Sequence, residues 1–229
     1  MDKYNVYQDM SRRTGGEIYL GIVGPVRTGK SNFIKRFTEL VVIPEMSDDN
    51  EKVRTIDELP QSADGKTIMT TEPKFIPKEA AVIHFSNQET GKIRLIDCVG
   101  YLVPEAVGAI EEEKERMVKT SWSEEEIPFS FGDIAAANFE EALQKTVMEC
   151  EKAGKPFLIL VNTSRPDSQE TIQFKKRLEA QYGKTVMAVN CKTMDREDVF
   201  RIMEQLLADF PITRLNFLLP KWVEFLQPD

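Results

Sequence analysis

The feature that most constrains the fold of this chain lies near its beginning, where an apolar run, a glycine-containing turn and a helical pattern follow one another. Residues 17–23 are mostly apolar and include β-branched side chains, which predicts a short buried strand. From Ser31 to Val41 the apolar side chains recur at helical spacing. The turn between the two elements reads Gly24-Pro25-Val26-Arg27-Thr28-Gly29-Lys30-Ser31. Strand, glycine-containing loop and helix thus occur in the order that a phosphate-binding loop requires.

The residue types in this loop suit the phosphates of a nucleoside triphosphate. Gly24 and Gly29 let the backbone curl so that N–H groups point inward, and Lys30 brings a positive charge to the β- and γ-phosphates. The Ser31 hydroxyl is a hard oxygen ligand suited to Mg²⁺, and the following helix directs its positive dipole end at the site. For Arg27, contact with phosphate and exposure to solvent both remain open. We predict that the whole 24–31 loop binds nucleotide and that Lys30 also takes part in catalysis.

A second motif follows an apolar run that predicts another strand. Residues 93–97 end in Asp97, and Gly100 stands close behind it. An acidic side chain at the end of such a strand can hold Mg²⁺ through water, and a glycine N–H can contact the γ-phosphate. The pattern is short and common, so an ordinary aspartate at a strand end is the alternative. Its position after the phosphate loop favours catalysis and metal binding for Asp97, and nucleotide binding for Gly100.

A third candidate is a threonine-containing stretch between these two motifs. Thr67, Thr70 and Thr71 lie in a polar loop, from which a threonine hydroxyl can complete the coordination of Mg²⁺ and sense the γ-phosphate. A β-prone loop edge without function is the alternative. We predict that Thr70 or Thr71 takes part in catalysis, and we place Thr70, with Ser31 and Asp97, among the metal ligands.

The residues after a later apolar run bear on the choice of base. A guanine-specific site commonly has an aspartate that accepts from the guanine ring, three residues after an asparagine. Here the asparagine is Asn162, but Arg165 occupies the place of the aspartate, unless Asp167 reaches the base instead. This difference points to ATP rather than GTP, with Asn162 among the nucleotide-binding residues. Residues 190–192 are either a second loop beside the base or an ordinary loop.

Alternating strand and helix patterns continue through the rest of the chain. The predicted strands lie at 81–85, 93–97, 157–161 and 185–189, the first two as an antiparallel pair. The predicted helices lie at 138–153, 167–181 and 195–210, the last with Asp195 as its cap. This alternation predicts an α/β fold, a P-loop NTPase whose mostly parallel sheet has helices on both faces and one antiparallel edge strand.

A single domain, 17–210, accounts for these patterns. Residues 1–16 form a lead-in before it, and 211–229 are expected to begin a linker to a further region. Within the domain, 44–79 is a long polar connection punctuated by prolines. Connections of this length are usually functional or mobile, so it is predicted to be the switch-like loop of the site.

Composition argues against several other functions. The net charge of -8 disfavours nucleic acid as the main partner, because phosphate backbones need concentrated Lys and Arg. A lone histidine, His84, and three cysteines without metal-ligand spacing disfavour a zinc site and a Ser-His-Asp triad. The chain begins without an apolar signal sequence, and its apolar runs are too short to cross a bilayer. We therefore expect reduced, buried cysteines and a cytoplasmic protein without a transmembrane segment.

Taken together, the motifs resemble the stage IV sporulation protein A family, the coat-morphogenetic ATPases of endospore-forming bacteria. The resemblance covers nearly the whole chain and is carried by the stretches 4–10, 21–31, 67–77, 93–101 and 216–224. It implies a P-loop fold of the translation-factor-like class that uses ATP and Mg²⁺. By motif match, Lys30 is the Walker A lysine, Asp97 the Walker B aspartate, and Thr70 and Thr71 the sensor threonines.

The resemblance also implies a role and partners. In this family ATP hydrolysis drives irreversible self-assembly of the basement layer of the spore coat around the forespore. The partners would be further copies of the protein, a small amphipathic membrane-anchoring peptide and other coat proteins, reached through a region beyond 229. The location would be the mother-cell cytoplasm, at the outer forespore membrane.

The chain departs from the family in two respects. The family has a helix and a strand after the position of Phe129, where this chain runs directly into Ser130, so one strand of the sheet is expected to be missing. A true deletion and an omission of residues from the sequence both remain open. The chain also ends at Asp229, which suggests an isolated ATPase domain.

Turnover is expected to be slow, because Tyr101 stands where many GTPases have a water-orienting glutamine. Three other functions remain alternatives: a GTPase switch, a non-catalytic scaffold that holds nucleotide, and a structural module independent of nucleotide.

Overall fold

The first half of the described chain forms a three-stranded sheet. The computed structural model describes residues 17–25, 28–60, 73–84, 90–98, 100, 110–111, 114–115, 117–118, 127–128 and 139–208. Strand β1 (Glu17–Ile22) runs parallel to β3 (Thr90–Asp97), and β2 (Lys74–His84) lies antiparallel on the other side of β3. A parallel pair with an antiparallel outer strand is the arrangement that the sequence predicts for this part.

Helix α1 (Lys30–Phe37) begins directly after Gly29 and packs against this sheet. It continues as a π-helical turn, Thr38–Val42, and a 3₁₀ turn, Ile43–Glu45. A π turn contains more residues than an α turn and therefore rotates the residues that follow it. The buried side chains on both parts of this helix face one core: Phe33, Ile34, Phe37, Val41 and Val42.

The prediction that 44–79 is one long polar connection was wrong. Helix α2 (Asp49–Glu58) lies within it, and β2 already begins at Lys74. The side chain of Asp48 caps α2 by accepting a hydrogen bond from the Asn50 N–H at 2.8 Å. Pro44 lies in the 3₁₀ turn, and Pro60 and Pro73 lie outside α2 and β2. Pro77 lies within the outer strand β2, whose pairing with β3 shifts register between Ile76 and Ala81.

Four two-residue strands lie between the two halves of the chain and form two small antiparallel pairs. The sequence patterns did not predict them. They are β4 (Ile110–Glu111) with β5 (Lys114–Glu115), and β6 (Met117–Val118) with β7 (Ile127–Pro128).

The second half contains a parallel pair of strands and three helices. The pair is β8 (Ile159–Asn162) with β9 (Val186–Val189). The helices are α3 (Phe139–Lys152), α4 (Gln169–Tyr182) and α5 (Arg196–Ala208). Every one of these elements overlaps the strand or helix predicted for it, with ends that differ by a few residues.

Helices cover both faces of this second pair. Leu158 and Leu160 pack into the core that contains α1 and α5. Ile159 and Val161 pack instead against side chains of α3 and α4. Because successive side chains of a strand point to opposite faces, this alternation places α5 on one face and α3 and α4 on the other. The prediction of helices on both faces is confirmed for this pair.

Two helix ends follow the predicted signals. The Asp195 side chain accepts from the Asp198 N–H at 2.9 Å, and Asp198 accepts in turn from the Asp195 N–H at 3.1 Å, so the pair caps α5. Gly183 ends α4 in a left-handed conformation with φ 61°, which glycine adopts without steric cost.

An ion cluster joins β2, the end of the first helical segment and the start of α5. Glu45 accepts from Arg196 at 2.6 Å and contacts His84 Nδ1 at 2.6 Å. The hydrogen bond from Arg196, together with that from His84, lowers the pKa of the Glu45 carboxyl. His84 thus lies at the end of the outer strand β2, where it contacts the Glu45 carboxylate.

None of the three cysteines takes part in a disulfide. Cys98 and Cys191 are buried and Cys150 is half-buried. Burial raises the pKa of Cys150 and of Cys191 to about 11, so both thiols stay protonated near neutral pH. No helix in the part of the chain that the structure describes has the length and apolarity needed to cross a membrane.

The two sheets share one core but are not joined by a backbone ladder among the described strands. β1 pairs with β3 and β8 pairs with β9, and no described strand links β1 to β8. Side chains from both sheets nevertheless pack against the same helices, α1 and α5. The sheet of the described chain is thus interrupted at this position.

Candidate functional site

The 24–31 loop curls back on itself at the carboxyl end of β1. Gly24 has φ 145° and Gly29 has φ 94°, backbone conformations that other residues rarely adopt. The Thr28 hydroxyl donates to the Pro25 carbonyl at 2.9 Å and so closes the turn. Gly29 is the N-cap of α1, but no side chain caps the helix and its first turn contains no acidic residue. The first N–H groups of α1 therefore have no side-chain cap and no acidic neighbour in their own turn, as in a helix end that binds an anion.

Lys30 lies across the inside of the loop. Its Nζ donates to the Gly24 carbonyl at 3.0 Å and to the Pro25 carbonyl at 2.7 Å. An ammonium group has three donors, so two hold the loop and one is left for a ligand. Burial lowers the pKa of the Lys30 ammonium to about 8, and the nearby Asp97 carboxylate opposes part of that decrease. An anionic ligand would stabilise the charged form of this partly buried ammonium group.

Asp97 and Gly100 lie on the neighbouring strand end, as predicted. Asp97 is the last residue of β3, is 2% exposed and pairs in register with Ile22 at the end of β1. The carboxylate therefore sits beside the start of the 24–31 loop, in agreement with its effect on Lys30. Gly100 is also buried. The structure brings the predicted Lys30, Ser31, Asp97 and Gly100 to one end of the sheet.

Asn162 connects the 24–31 loop with the loop that follows β9. Its Nδ2 donates to the Thr28 carbonyl at 3.2 Å, and its Oδ1 accepts from the Cys191 N–H at 3.1 Å. A Cβ atom on Gly29 would overlap the Asn162 amide, so the two segments are in close contact. Asn162 was predicted as a nucleotide ligand, and its described contacts are those of a support for the loop. The segment 190–192, which the sequence leaves open as a loop beside the base or an ordinary loop, is held near the 24–31 loop by this same side chain.

We predict that Asn162→Ala lowers both nucleotide affinity and the unfolding temperature. The two lost hydrogen bonds are worth about 1 kcal/mol each, which corresponds to an unfolding temperature lower by about 5 °C for a chain of this size. Asn162→Asp keeps the acceptor for Cys191 but places a negative charge beside the loop, so it should weaken nucleotide binding more than alanine does. Calorimetric titration and thermal unfolding measure the two effects.

The control for this prediction is Asn190→Ala, which removes an asparagine that bonds within its own loop, to the Lys192 N–H at 3.0 Å. Its nucleotide affinity should equal that of the wild type. Equal affinities for Asn162→Ala and wild type would contradict the supporting role.

The residue that replaces the guanine-reading aspartate points toward solvent. Arg165 is exposed and its guanidinium lies 4.0 Å from the Glu170 carboxylate. The Arg165 carbonyl accepts from the Thr171 hydroxyl at 2.9 Å, which ties this loop to the first turn of α4. Asp167, the alternative acceptor, is exposed just before Ser168, the N-cap of α4. The structure supplies no acidic side chain aimed at the 24–31 loop from this segment.

Several predicted site residues lie outside the described part of the chain: Val26, Arg27, Thr70 and Thr71. Tyr101, residues 1–16 and all of 211–229 lie outside it as well. Within the described part, no group of three or more His, Cys, Asp or Glu side chains could hold a metal ion. A magnesium site built from the Ser31 hydroxyl, one carboxylate and phosphate oxygens does not need such a group.

Comparison with known proteins identifies a family for this chain. The family described as "Stage IV sporulation protein A, ATPase domain" matches residues 1–131 and 129–211. Stage IV sporulation protein A of Bacillus subtilis (strain 168) is 42% identical over 253 residues, which cover 99% of this chain and 51% of that protein. The proteins of the same name from Bacillus anthracis and Clostridioides difficile (strain 630) are each 40% identical over 97% of this chain and 51% of their own length. The chain thus spans about half the length of these relatives.

Two details of the match concern the middle of the chain. The family match consists of two parts that meet at 129–131. The alignment with the Bacillus subtilis protein has 253 positions, 24 more than the 229 residues of this chain. The relative therefore has residues without a counterpart in this chain. The family match divides near Phe129, where the sequence analysis expects a helix and a strand to be missing. With nearly its whole length matched, the chain belongs to the family of the stage IV sporulation protein A ATPase domain.

Proposed function

We propose that this chain binds ATP with Mg²⁺ at the 24–31 loop and slowly hydrolyses the terminal phosphoanhydride bond. The observation that carries the proposal is Lys30, a partly buried cation held inside a loop of inward-turned backbone by the Gly24 and Pro25 carbonyls. The uncapped N-terminus of α1 adds donors for an anion at the same place. The family name, which contains the word ATPase, supports the same reading.

The residues present fit a triphosphate and its metal. Lys30 would bind the β- and γ-phosphates with its remaining donor, and the N–H groups of the loop would bind the same oxygens. Ser31, Asp97 and Thr70 would hold Mg²⁺, which neutralises charge on the phosphate oxygens when it is bound. Gly100 would donate its N–H to the γ-phosphate, and Thr70 or Thr71 would orient the attacking water.

The choice of ATP follows from the loop after β8. Arg165 stands where a guanine site has its acceptor, and it is held near Glu170 and α4 instead of the base side. A site without a hydrogen-bond acceptor for the guanine ring gains no binding free energy from guanine over another base. We therefore propose ATP over GTP.

For the whole protein, we propose the role that its relatives' name suggests, a part in sporulation. Following the resemblance, ATP hydrolysis in this domain would drive self-assembly of the basement layer of the spore coat. Other coat proteins and a membrane-anchoring peptide would bind the half of the protein that this chain does not span.

The test is a comparison of Mg-ATP and Mg-GTP with the chain alone. Calorimetric titration should give at least a tenfold tighter dissociation constant for ATP, about 1.4 kcal/mol. Phosphate release should exceed background and depend on Mg²⁺. Tighter binding of GTP would favour the switch alternative, and binding without phosphate release would favour the scaffold. If neither nucleotide changed the unfolding temperature, the chain would be the structural module independent of nucleotide.

We also predict that ATP affinity falls as the pH rises above about 8. The Lys30 ammonium of the free chain loses its proton near that pH, whereas bound phosphate keeps the proton in place. ATP binding is then coupled to proton uptake by Lys30 above pH 8, whereas below pH 8 Lys30 is already protonated and its titration adds no pH dependence. Titrations from pH 6.5 to 9.5 should show a loss approaching tenfold per pH unit at the alkaline end.

The control for this pH dependence is Lys30→Arg, because a guanidinium keeps its charge throughout this range. Its affinity, although weaker overall, should stay level above pH 8. An unchanged wild-type affinity up to pH 9.5 would show that the charge on Lys30 does not bind phosphate.

A further inference from the structure

Arg36 joins the helix that follows the 24–31 loop to a distant turn of the chain. It stands in the last turn of α1, and its Nε donates to the Met194 carbonyl at 3.0 Å, across 158 positions. The other basic residue of that helical turn, Lys35, forms its described ion pair within the helix, 4.0 Å from Glu39. Of the two, Arg36 is therefore the residue that ties α1 to a segment far away in sequence.

The turn at the other end of this bond, residues 190–194, has a shape fixed by its own backbone. The Asn190 carbonyl accepts from the N–H groups of Thr193 at 3.0 Å and of Met194 at 2.8 Å. These bonds need neither a side chain of the turn nor a contact from outside it. The buried side chains of the turn are Cys191 and Met194, and the exposed ones are Lys192 and Thr193.

Hydrogen bonds from other segments hold this turn at both of its ends. At its start, the Cys191 N–H donates to Asn162 Oδ1 at 3.1 Å, and Asn162 itself donates to the Thr28 carbonyl. At its end, the Met194 carbonyl accepts from Arg36. Thr28 precedes α1 and Arg36 stands in the last turn of that helix, so the turn is aligned along α1. Without Arg36, the described polar contact that remains between the turn and this part of the chain is the one through Asn162.

The turn approaches the 24–31 loop from the side opposite the proposed metal site. Asp97 and Gly100, the proposed partners of Mg²⁺ and the γ-phosphate, follow β3. Both edges of β3 are occupied, by β1 and β2, so Asn162 at the end of β8 approaches the loop from a different side. A triphosphate whose γ-phosphate lies toward Gly100 directs its ribose and base away from β3. They are then directed to the side on which Asn162 holds the turn.

We propose that Arg36 is a positioning residue for the nucleotide, which holds the turn 190–194 along α1 so that the exposed side of the turn contacts the ribose and base. Arg36 acts through the Met194 carbonyl and not by touching the ligand. The triphosphate is bound by Lys30 and the N–H groups of the 24–31 loop, which do not depend on this turn. Arg36 thus contributes to recognition of the ribose and base and not of the phosphates. The inference rests on the proposed binding of ATP at the 24–31 loop.

The experiment measures Arg36→Met and the wild type with Mg-ATP and with Mg-tripolyphosphate, the phosphate chain without ribose or base. Methionine keeps much of the apolar stem of arginine but donates no hydrogen bond. In calorimetric titrations the variant should bind Mg-ATP about fivefold more weakly or worse, and Mg-tripolyphosphate as the wild type does. In steady-state assays the loss should appear in KM and not in kcat, because the groups proposed for the chemistry are unaltered.

Arg177→Met is the matched control. Arg177 also joins two separate elements, donating to Glu140 on α3 at 3.3 Å from its place on α4. Both helices lie on the face of the β8–β9 pair opposite α1. This variant should bind both ligands with wild-type affinity.

Equal losses for Mg-ATP and Mg-tripolyphosphate in Arg36→Met would overturn the inference, because Arg36 would then merely stabilise α1 and the 24–31 loop. Unchanged affinity for Mg-ATP would overturn it as well. Circular dichroism at the titration temperature establishes that the variant is folded. Arg36→Lys, which keeps a charged donor of similar reach, should recover most of the affinity for Mg-ATP, and a loss as large as that in Arg36→Met would contradict the role of the hydrogen bond. A wild-type chain that binds neither ligand would refute the proposed nucleotide site itself.

Discussion

Gly29→Ala should lower the free energy of unfolding by about 3 kcal/mol and abolish nucleotide binding. At φ 94° a Cβ atom costs about 1–2 kcal/mol. The new Cβ would also overlap the Asn162 amide, so that side chain must leave and lose its hydrogen bonds to Thr28 and Cys191, about 1 kcal/mol each. Thermal unfolding should occur about 10 °C lower than in the wild type.

Two alanine variants separate the causes. Gly154→Ala shares a left-handed backbone, φ 63°, but has open space around it, so it should cost about 1 kcal/mol and leave nucleotide affinity unchanged. In the double variant Gly29→Ala/Asn162→Ala the overlap is gone, so its cost should fall short of the sum of the two single variants by at least about 1 kcal/mol. If the stability costs of the two single variants summed to that of the double variant, the Asn162 side chain would not overlap the new Cβ atom.

Lys30→Ala should reduce both Mg-ATP affinity and phosphate release by about 100-fold or more. The change removes a charge-assisted contact to phosphate, worth about 3 kcal/mol, and leaves the Gly24 and Pro25 carbonyls without their donor. Titration calorimetry measures the affinity, and a continuous phosphate assay measures the rate. Circular dichroism at the assay temperature confirms that the variant is folded.

Lys35→Ala is the matched control, since Lys35 is an exposed lysine on the same helix, 4.0 Å from Glu39. It should bind and hydrolyse ATP as the wild type does, because an exposed pair of this kind contributes little. If Lys30→Ala released phosphate as fast as Lys35→Ala, hydrolysis would not take place at this loop.

Local patterns predicted the parts of the fold that depend on neighbouring residues. The apolar run 17–23, the glycine loop and the helix after it were placed within a few residues, because sterics at Gly29 and helical spacing act over short distances. The caps at Asp195 and Gly183 were found for the same reason. Helix α2 was missed because its sequence is polar on nearly every side, with Thr55 as its only buried residue.

The geometry of the candidate site was harder to predict where it depends on distant parts of the chain. Asn162 was predicted to bind nucleotide, but its bond to the Thr28 carbonyl spans 134 positions and no local pattern encodes it. The position of Lys30 against two loop carbonyls likewise depends on the closed form of the loop. A signal for Asn162 was present in the sequence: it is a polar residue that ends an apolar strand.

The π-helical turn after α1 has a consequence for which lengths of chain this family can tolerate. Residues 38–42 contain the extra residue of that turn, and the buried Thr38 hydroxyl finds no hydrogen-bond partner among the described groups. A chain shortened by one residue here could continue as a regular α-helix along nearly the same path, because the five residues of a π turn cover about the same rotation as four α-helical residues. A deletion within 30–37 that keeps the π turn would instead rotate everything after it by about 100° and turn Val41 and Val42, now 1% and 0% exposed, away from the core. Single-residue deletions are therefore expected to be tolerated within 38–42 and excluded from 30–37, so natural length variation should fall in this turn.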